Sequence, residues 1–357
     1  MDTSFSVLGC GTSNLGQIGQ ASDTAIPTSI MVKDVKDVIS GSWTSIFINQ
    51  NNNVSFLGCN KDGQIPYAQT SIVSSRLYPQ NMEEIHRNQI ASADFFTALI
   101  DSKNSLSTYG KITLLDQMKE LKYTKIFAKF EWLAGITTDN KIIAYFSNHS
   151  EKKDPVFLNL SDDNNNYTEN IKTITSFTEH KIAILTNSGN LYVYDKLKNP
   201  ETNVTLSPLF DKIVSVASTR SRSILLKSDG RVYESIDDKL ILITGYEGLP
   251  ISLFAGGASL GLITFQGNCY MWGCGTHGQL GNGTFMNAAY PQKVIIDDKK
   301  VVSASAGEEH TLFLTVKSNQ FSVLLPDLMK NEVIPYAVSM SETIPYGFAP
   351  PEFDVKF

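Results

Sequence analysis

One short pattern recurs seven times along the 357-residue chain and restricts the folds open to it. Each copy is an apolar run interrupted by small or polar residues, as in VISGSWTSIFI from Val38 to Ile48. The copies lie at 38–48, 90–100, 126–136, 174–184, 216–226, 253–263 and 303–314. Their uneven spacing, roughly 36 to 52 residues, is typical of a repeat that forms four short strands per blade.

Polar turns connect most copies to a further strand. NSGN at 187–190 precedes LYVY, and KSDG at 227–230 precedes RVY. Ser-Gly and Asp-Gly pairs supply the positive φ that two-residue hairpins require, so the flanking strands are antiparallel. One plausible helical stretch, Thr113–Leu121, interrupts this pattern. The repeats therefore predict an all-β fold, a seven-bladed β-propeller.

A glycine-rich stretch, GCGTHG at 273–278, fits the G-x-G-x-x-G template of a nucleotide-binding loop. Related stretches follow the apolar runs at 5–8 and 54–57, and no helical pattern follows any of the three. Because a dinucleotide loop needs a helix N-terminus behind it, we interpret all three as turns. GASLG at 257–261 has the spelling of a nucleophile elbow, but it lies between two strands. We predict no catalytic residues and no enzyme.

Composition restricts partner and compartment. The chain has 36 acidic and 30 basic residues, a net charge of −6, and no basic run, which makes nucleic acid an unlikely partner. It has no apolar stretch of membrane-helix length, and its N-terminus has no basic start or apolar signal core. Four cysteines in a chain this long are typical of a reducing compartment. We predict a cytoplasmic or nuclear protein that is not secreted and does not bind membranes.

Cysteine and histidine positions argue against a metal site. We interpret Cys10, Cys59 and Cys274 as one repeated position, directly after a strand-ending glycine, on three separate blades. Side chains on separate blades cannot converge on one ion, and the five histidines have no ligand spacing. We predict neither a metal nor a cofactor.

Three segments carry a resemblance to a known family. The segment from Cys269 to Gly281 contains WGCGTHGQLG, a strand follows at 291–294, and AGEEHT occupies 306–311. Together they resemble the repeat of the regulator-of-chromosome-condensation propellers. The resemblance covers about residues 5–317 and is weakest between Asn104 and Pro250.

The resemblance implies how the ring closes and what its special positions do. In this family the N-terminal strands complete the last blade, so strands at 5–8 and 26–32 are expected to pair with those near 301–315. The family's His–Thr pair implies that His310 hydrogen-bonds within its blade. Five residues occupy the other positions of that histidine: Thr44, Phe96, Trp132, Arg222 and Ser259.

Two segments are left over by the repeats. Residues 148–170 form a polar insertion in the third blade, where the family's exchange member has a hairpin that wedges against its GTPase. We interpret it as a surface loop. Residues 1–317 are predicted to be the propeller, and residues 318–357 a short extended tail rich in Pro and aromatic residues.

The loops between the first two strands of each blade all open on one face. Mixed acidic and aromatic residues with two arginines are typical of a protein-binding rim, although a merely solvated rim would also fit. The rim candidates are Trp43, Asp94, Glu131, Trp132, Glu179, His180, Arg220, Arg222, Glu308 and Glu309. The tail candidates are Tyr336, Tyr346 and Phe348, whether they lie along the propeller's flank or in a partner.

The preferred function is that of a non-enzymatic scaffold or adaptor that binds another protein. The small fungal propeller of this family that pairs with a little zinc protein offers a parallel. One alternative is guanine-nucleotide exchange on a Ran-type small GTPase, with Glu131, Glu179 and His180 as the nearest candidates. The second alternative is a structural subunit of a larger complex, such as a cytoskeletal or flagellar assembly.

Overall fold

The computed structural model describes residues 5–66, 68–73, 85–112, 114, 116–146, 154–160, 171–198, 203–206 and 208–321. These residues form seven sheets. The first strand of every blade contacts the first strand of the next, and the last blade contacts the first, so the blades form a closed ring. The predicted seven-bladed propeller is confirmed.

The chain begins with two strands that belong to the last blade, and then builds blades 1 to 3. The opening strands are β1 (Ser6–Gly11) and β2 (Thr24–Ser29). Blade 1 contains β3 (Val35–Ser40), β4 (Thr44–Asn49), β5 (Val54–Cys59) and β6 (Ile72–Val73). Blade 2 contains β7 (Ile90–Ser92), β8 (Phe96–Ile100) and β9 (Leu106–Gly110). Blade 3 contains β10 (Tyr123–Lys129), β11 (Trp132–Thr137), β12 (Ile142–Phe146) and β13 (Val156–Leu160).

Blades 4 to 7 repeat the same meander. Blade 4 contains β14 (Ile171–Thr178), β15 (Lys181–Thr186), β16 (Leu191–Asp195) and β18 (Pro208–Phe210), and β17 (Asn203–Leu206) leaves it to join blade 3. Blade 5 contains β19 (Ile213–Ser218), β20 (Ser223–Lys227), β21 (Val232–Ile236) and β22 (Lys239–Leu242). Blade 6 contains β23 (Pro250–Ala255), β24 (Ser259–Thr264), β25 (Cys269–Gly273) and β26 (Ala288–Lys293). Blade 7 starts with β27 (Lys299–Ala306) and β28 (His310–Lys317).

The N-terminal strands close the ring as expected. Sheet order in blade 7 is β2-β1-β28-β27, and β1 pairs with β28 over its whole length, from Ser6 opposite Thr315 to Gly11 opposite His310. Because β1 lies between β28 and β2, the side of β28 that faces away from β27 is fully paired. Strands from both ends of the chain therefore share one sheet.

The core lies between neighbouring blades. The second strands are buried on both faces, as β11 is at all six positions, while the outermost strand β26 has one buried residue. The cluster between blades 7 and 1 joins Val7, Phe47 and Leu312. Each blade buries its two faces against its neighbours, which is why the inner strands read as continuous apolar runs.

The described residues contain little helix. The predicted helical stretch is confirmed as α1 (Asp116–Glu120), and a single 3-10 turn spans Arg87–Gln89. Residues 318–321 are also helical, so the extension beyond the propeller is not extended where it starts. No helix in the described ranges has the length and apolar character to cross a bilayer.

The insertion at 148–170 was interpreted as a loop, and this is wrong for its middle part. Residues 156–160 form β13, the fourth strand of blade 3, since Val156, Leu158 and Leu160 alternate and are buried. The strand also pairs in parallel with β17, Phe157 opposite Asn203. Polar residues on both sides of the VFLNL segment hid its period of two.

In four blades a glycine near the end of a strand packs against the turn between the first two strands of that blade. Gly11, Gly58, Gly110 and Gly273 have φ between 100° and 113°. A Cβ at Gly58 would lie 2.3 Å from the carbonyl oxygen of Trp43. Both the backbone angle and the contact require glycine at this position.

Gly58→Ala is expected to lower the free energy of unfolding by about 2–4 kcal/mol, through backbone strain and a clash with backbone. Gly63→Ala is the matched control, because Gly63 also has positive φ but an added Cβ would meet nothing within 4 Å. We expect a cost of about 1 kcal/mol there. Urea unfolding of both variants measures the difference, and equal costs would contradict the role of the Trp43 contact.

Candidate functional site

A ring of backbone hydrogen bonds joins the loops between the first two strands of the blades. Glu308 donates to Ser42 (2.9 Å), and Ser42 donates in turn to Ala93 (3.4 Å). The remaining bonds are Asp94 to Phe130 (3.0 Å), Glu179 to Arg220 (2.8 Å), Arg220 to Gly257 (3.0 Å) and Gly257 to Gly307 (3.1 Å). Six of the seven boundaries between blades are bridged in this way, which fixes the loops relative to one another.

Arg220 of blade 5 gathers carboxylates from three other blades. Its Nη2 lies 2.7 Å from Asp94 Oδ2 of blade 2 and 3.0 Å from Glu308 Oε2 of blade 7. Its Nη1 lies 3.0 Å from Glu179 Oε1 of blade 4. Asp94 also accepts a hydrogen bond from the Ser42 hydroxyl of blade 1. A guanidinium has five donors in a fixed planar arrangement, which suits it to bind several carboxylates at once.

Blade 3 contributes a second cation and an aromatic ring. Lys129 Nζ donates to the carbonyl oxygens of Ser218 (2.7 Å) and Ala255 (2.9 Å), on blades 5 and 6. The ring of Phe130 lies 4.7 Å from the Arg220 guanidinium, within cation–π range. We call Asp94, Lys129, Phe130, Glu179, Arg220 and Glu308 the channel cluster, because they come from loops around the central axis.

Burial and the neighbouring charges together shift the pKa values of the two cations in opposite directions. Burial lowers the pKa of Lys129 to about 8, and the nearby Asp94 and Glu308 charges offset only part of this effect. Burial alone would lower the pKa of Arg220, but hydrogen bonds and charge from Asp94 and Glu308 outweigh it and raise that pKa. Arg220 therefore stays charged at every physiological pH, and with three carboxylates and two cations the cluster is net negative by one.

Four of the ten rim candidates are brought together in this cluster: Asp94, Glu179, Arg220 and Glu308. Two others contact side chains outside the cluster. Arg222 binds Glu234 of its own blade through two nitrogens (2.5 and 2.8 Å), and Glu309 lies 3.6 Å from His277. Their charges are thus directed at neighbouring loops, away from the channel.

Three further candidates are accessible on the same loops. His180 is exposed, and Trp43 and Glu131 are half-buried. Trp132 was also expected on the rim, and this placement is wrong because its side chain is only 1% exposed. As the first residue of β11, it faces a neighbouring blade and packs in the core between blades 3 and 4. Tyr336, Tyr346 and Phe348 lie outside the described residues.

The histidine position of the repeat is now fixed by strand pairing. His310 lies opposite Gly11, and Thr44, Phe96 and Ser259 lie opposite the equivalent glycines. In blade 5 the equivalent residue is Arg222, because the Thr219 amide donates to the Arg222 carbonyl oxygen (2.9 Å) as the Gly307 amide donates to that of His310 (2.8 Å). The imidazole of His310 bonds outside its blade, since its Nε2 lies 3.1 Å from Ser45 Oγ of blade 1. The expectation of a bond within the blade was wrong.

Buried His310 makes stability depend on pH. Burial lowers its pKa to about 4, below the ordinary value of 6.5. As pH falls, the unfolded chain binds this proton first, so stability is fully present above pH 6.5 and decreases toward pH 4. We expect this histidine to remove about 2 kcal/mol between pH 7 and pH 5.

His310→Gln should lack this part of the pH dependence, whatever its stability at pH 7. Urea unfolding of both proteins at pH 7 and pH 5 gives the comparison, with the other histidines unchanged. If the variant loses as much stability as the wild type, the neutral buried histidine is not the cause.

The cysteines differ from their expected alignment. Thr12, Cys59 and Cys274 are equivalent, because their amides donate to the carbonyls of Glu309, Trp43 and Ala258. Cys10 precedes this position by two residues, because the first glycine of β1, Gly9, imitates the repeated one, Gly11. Burial raises the pKa of the Cys10 thiol, whose Sγ lies 3.4 Å from the carbonyl oxygen of Gln279. No group of three potential metal ligands occurs among the described side chains.

Sequence reasoning missed Lys129, Phe130 and Ser42. Lys129 ends a strand of mixed polarity, and its contacts with blades 5 and 6 are 89 and 126 residues away in sequence. Phe130 has φ of 51°, unusual for an aromatic residue, and nothing in its neighbours predicts a left-handed turn. The available signal was an unexplained Lys-Phe-Glu at a turn where other blades have small residues.

Comparison with known protein families matches the segment that carries the sequence resemblance. The Regulator of chromosome condensation (RCC1) repeat model matches residues 266–314, the segment whose repeat is best preserved. The Regulator of chromosome condensation from Homo sapiens is 21% identical over 387 aligned residues, covering 88% of this chain and 91% of that protein.

Solved structures agree on the architecture. Prp20p from Saccharomyces cerevisiae, described for its binding properties to Gsp1p and histones, superposes with a TM-score of 0.68 at 15% identity. The match covers 93% of this chain and 96% of Prp20p. Human WBSCR16 gives 0.66 at 12% identity, over 88% and 99% of the two chains. Repeat, closure and superposition agree: the chain is a seven-bladed propeller that carries a regulator-of-chromosome-condensation repeat at 266–314 and resembles propellers of that type over most of its length.

Proposed function

We propose that this propeller is a non-enzymatic scaffold or adaptor subunit that binds another protein, in the cytoplasm or nucleus, through the face around the channel cluster. The observation that supports this is the binding of carboxylates from blades 2, 4 and 7 by one residue, Arg220. The loops of four blades are thereby held in one arrangement before any partner arrives.

A preorganised surface binds with less loss of conformational freedom. The backbone ring and the Arg220 contacts fix the loops, so a partner does not have to order them. Trp43, Glu131 and His180 remain accessible on this fixed base. A half-buried tryptophan among polar residues is a common anchor of protein interfaces.

Exchange on a Ran-type small GTPase is the second candidate. Its support is the superposition on Prp20p, whose binding properties to Gsp1p are described. Of the three residues considered for exchange, Glu179 is already held by Arg220. Glu131 and His180 are left to contact a GTPase, and for this reason we place exchange after the scaffold function. A structural subunit of a cytoskeletal or flagellar assembly has no specific support beyond the fold.

Affinity capture of the tagged full-length protein, followed by mass spectrometry, tests the proposal. We expect a stoichiometric partner that is lost from the Trp43→Ala/Glu131→Lys/His180→Asp variant. Asn187→Lys is the control, because it changes an exposed turn at the opposite end of blade 4. A partner retained by the rim variant and lost from the control would contradict the chosen face.

A second assay separates the two functions. The captured partner and a Ran-type GTPase loaded with labelled GDP are each incubated with the propeller. Accelerated GDP release that requires Glu131 and His180 would replace the scaffold proposal by exchange. An unchanged release rate with a different stoichiometric partner supports the scaffold.

A further inference from the structure

The exposed apolar side chains of the described residues are concentrated on one side of the ring. Twelve large apolar residues are exposed, and nine of them belong to blades 5 to 7 or the segment after β2. We define the flank patch as the five that adjoin blades 6 and 7: Ile26, Phe285, Met286, Tyr290 and Ile295, which are 40–71% exposed. Contiguous apolar surface of this kind marks a binding site more often than chance.

Contacts through the β25–β26 loop make the patch continuous. Gly283 donates its amide to Ala25 O (2.9 Å), next to Ile26, and an added Cβ at Gly283 would lie 3.0 Å from Ile295 Cδ1. Phe285 and Met286 follow in the same loop, and Tyr290 lies on the strand after it. The patch therefore crosses the boundary between blades 6 and 7 on the outer circumference.

The two strands that carry the patch are poor acceptors of another strand. β26 and β2 are the outermost strands of blades 6 and 7, and each contains a proline, Pro291 and Pro27. Proline removes a backbone donor from an edge, which disfavours strand addition. Blade 3 shows the contrast: its outer strand β13 has no proline and is covered by β17. An occupant of the flank patch must bind mainly through side chains.

The C-terminal end of the described residues lies beside blade 6. Phe321 is 6% exposed, and its ring is 2.9 Å from the position of an added Cβ at Gly267, in the β24–β25 turn of blade 6. From there to the outer strand is about two to three strand spacings, about 10–15 Å. The eleven residues between Phe321 and Val333 could span up to about 40 Å.

The sequence that follows matches such a surface. Residues 333–351, VIPYAVSMSETIPYGFAPP, contain four prolines and repeat Ile-Pro-Tyr at 334–336 and 344–346. Proline-rich extended segments need no backbone partners and bind aromatic and apolar surfaces through their side chains. We propose that residues 333–351 dock on the flank patch of their own chain, with Tyr336, Tyr346 and Phe348 against Met286 and Tyr290.

Limited chymotrypsin digestion of the full chain measures this directly, because the enzyme cuts after the aromatic residues that would be covered. Met286→Asp/Tyr290→Asp is expected to speed cleavage after Tyr336, Tyr346 and Phe348 by about tenfold or more, as cleavage follows the undocked population. Leu197→Asp is the control, since Leu197 is 73% exposed on blade 4, away from the patch. It should cleave at the wild-type rate.

Two further measurements keep the proposal open to contradiction. A photo-crosslinking residue at position 346 of the full chain should label peptides within 283–296 or 24–31. The protection should not change with protein concentration, because the contact is within one chain. Equal cleavage of wild type and patch variant, labelling elsewhere, or protection that increases with concentration would each overturn the proposal, the last in favour of a second copy.

Discussion

Deletion of residues 1–21 is expected to prevent stable, cooperative folding of the whole propeller, and its effect should extend beyond the strand that is removed. β1 is the partner of both β28 and β2, so its removal leaves β2 without a partner and β28 paired on one side only, with β27. It also removes Val7, Leu8 and Ile18, which are 1%, 6% and 0% exposed. Burial of three such side chains is worth about 5–9 kcal/mol, and whole domains have about 5–15 kcal/mol of stability.

Thermal denaturation followed by far-ultraviolet circular dichroism measures this effect. Deletion of residues 1–4 is the matched control, because it stops before β1 and leaves every described contact of that strand. We expect its Tm within about 2 °C of the full chain. If the chain starting at Ser22 melts like the full protein, β1 does not close the ring.

Arg220→Met is the second change with a large expected effect. It leaves three carboxylates without their shared partner, including Asp94, whose side chain is only 4% exposed. Loss of one partner from a buried ion-pair network costs about 3–5 kcal/mol, and we expect about 2–4 here because Arg220 is partly exposed. Urea unfolding followed by tryptophan fluorescence gives the free energy.

Arg222→Met provides the comparison, since Arg222 also binds a carboxylate through two nitrogens but only within blade 5. We expect it to cost at most about 1 kcal/mol. Asp94→Asn should restore part of the stability lost in Arg220→Met, because it removes a buried unpaired charge. Equal costs for the two arginine variants, with no recovery, would contradict a special role of Arg220.

The Arg220 variant also bears on the proposed function. If the channel cluster only stabilises the ring, partner capture should survive at temperatures where Arg220→Met is folded. If the cluster prepares the binding face, as we propose, the folded variant should bind more weakly. Capture at low temperature with a folded sample therefore separates the two roles.

The sequence was informative wherever a local pattern carried the structure. The repeated apolar runs, each interrupted by small or polar residues, predicted the strand pairs from β3–β4 to β27–β28. This was possible because each pair buries both faces and is joined by a short turn. The resemblance of 269–281 and 306–311 predicted the closure by β1. The alignment of the repeats failed by two residues at Cys10, since Gly9 imitates the repeated glycine, Gly11.

What the sequence determined by itself was the number of blades, their strand pairing and the loops that share a face, since these depend on period, turn residues and local burial. Tertiary structure alone decided which loop residues meet. Asp94 and Arg220 are 126 residues apart and Lys129 and Ala255 also 126. These residues meet because the closed ring brings turns that are distant in sequence to one axis. No local pattern in either segment predicts that they lie close together in space.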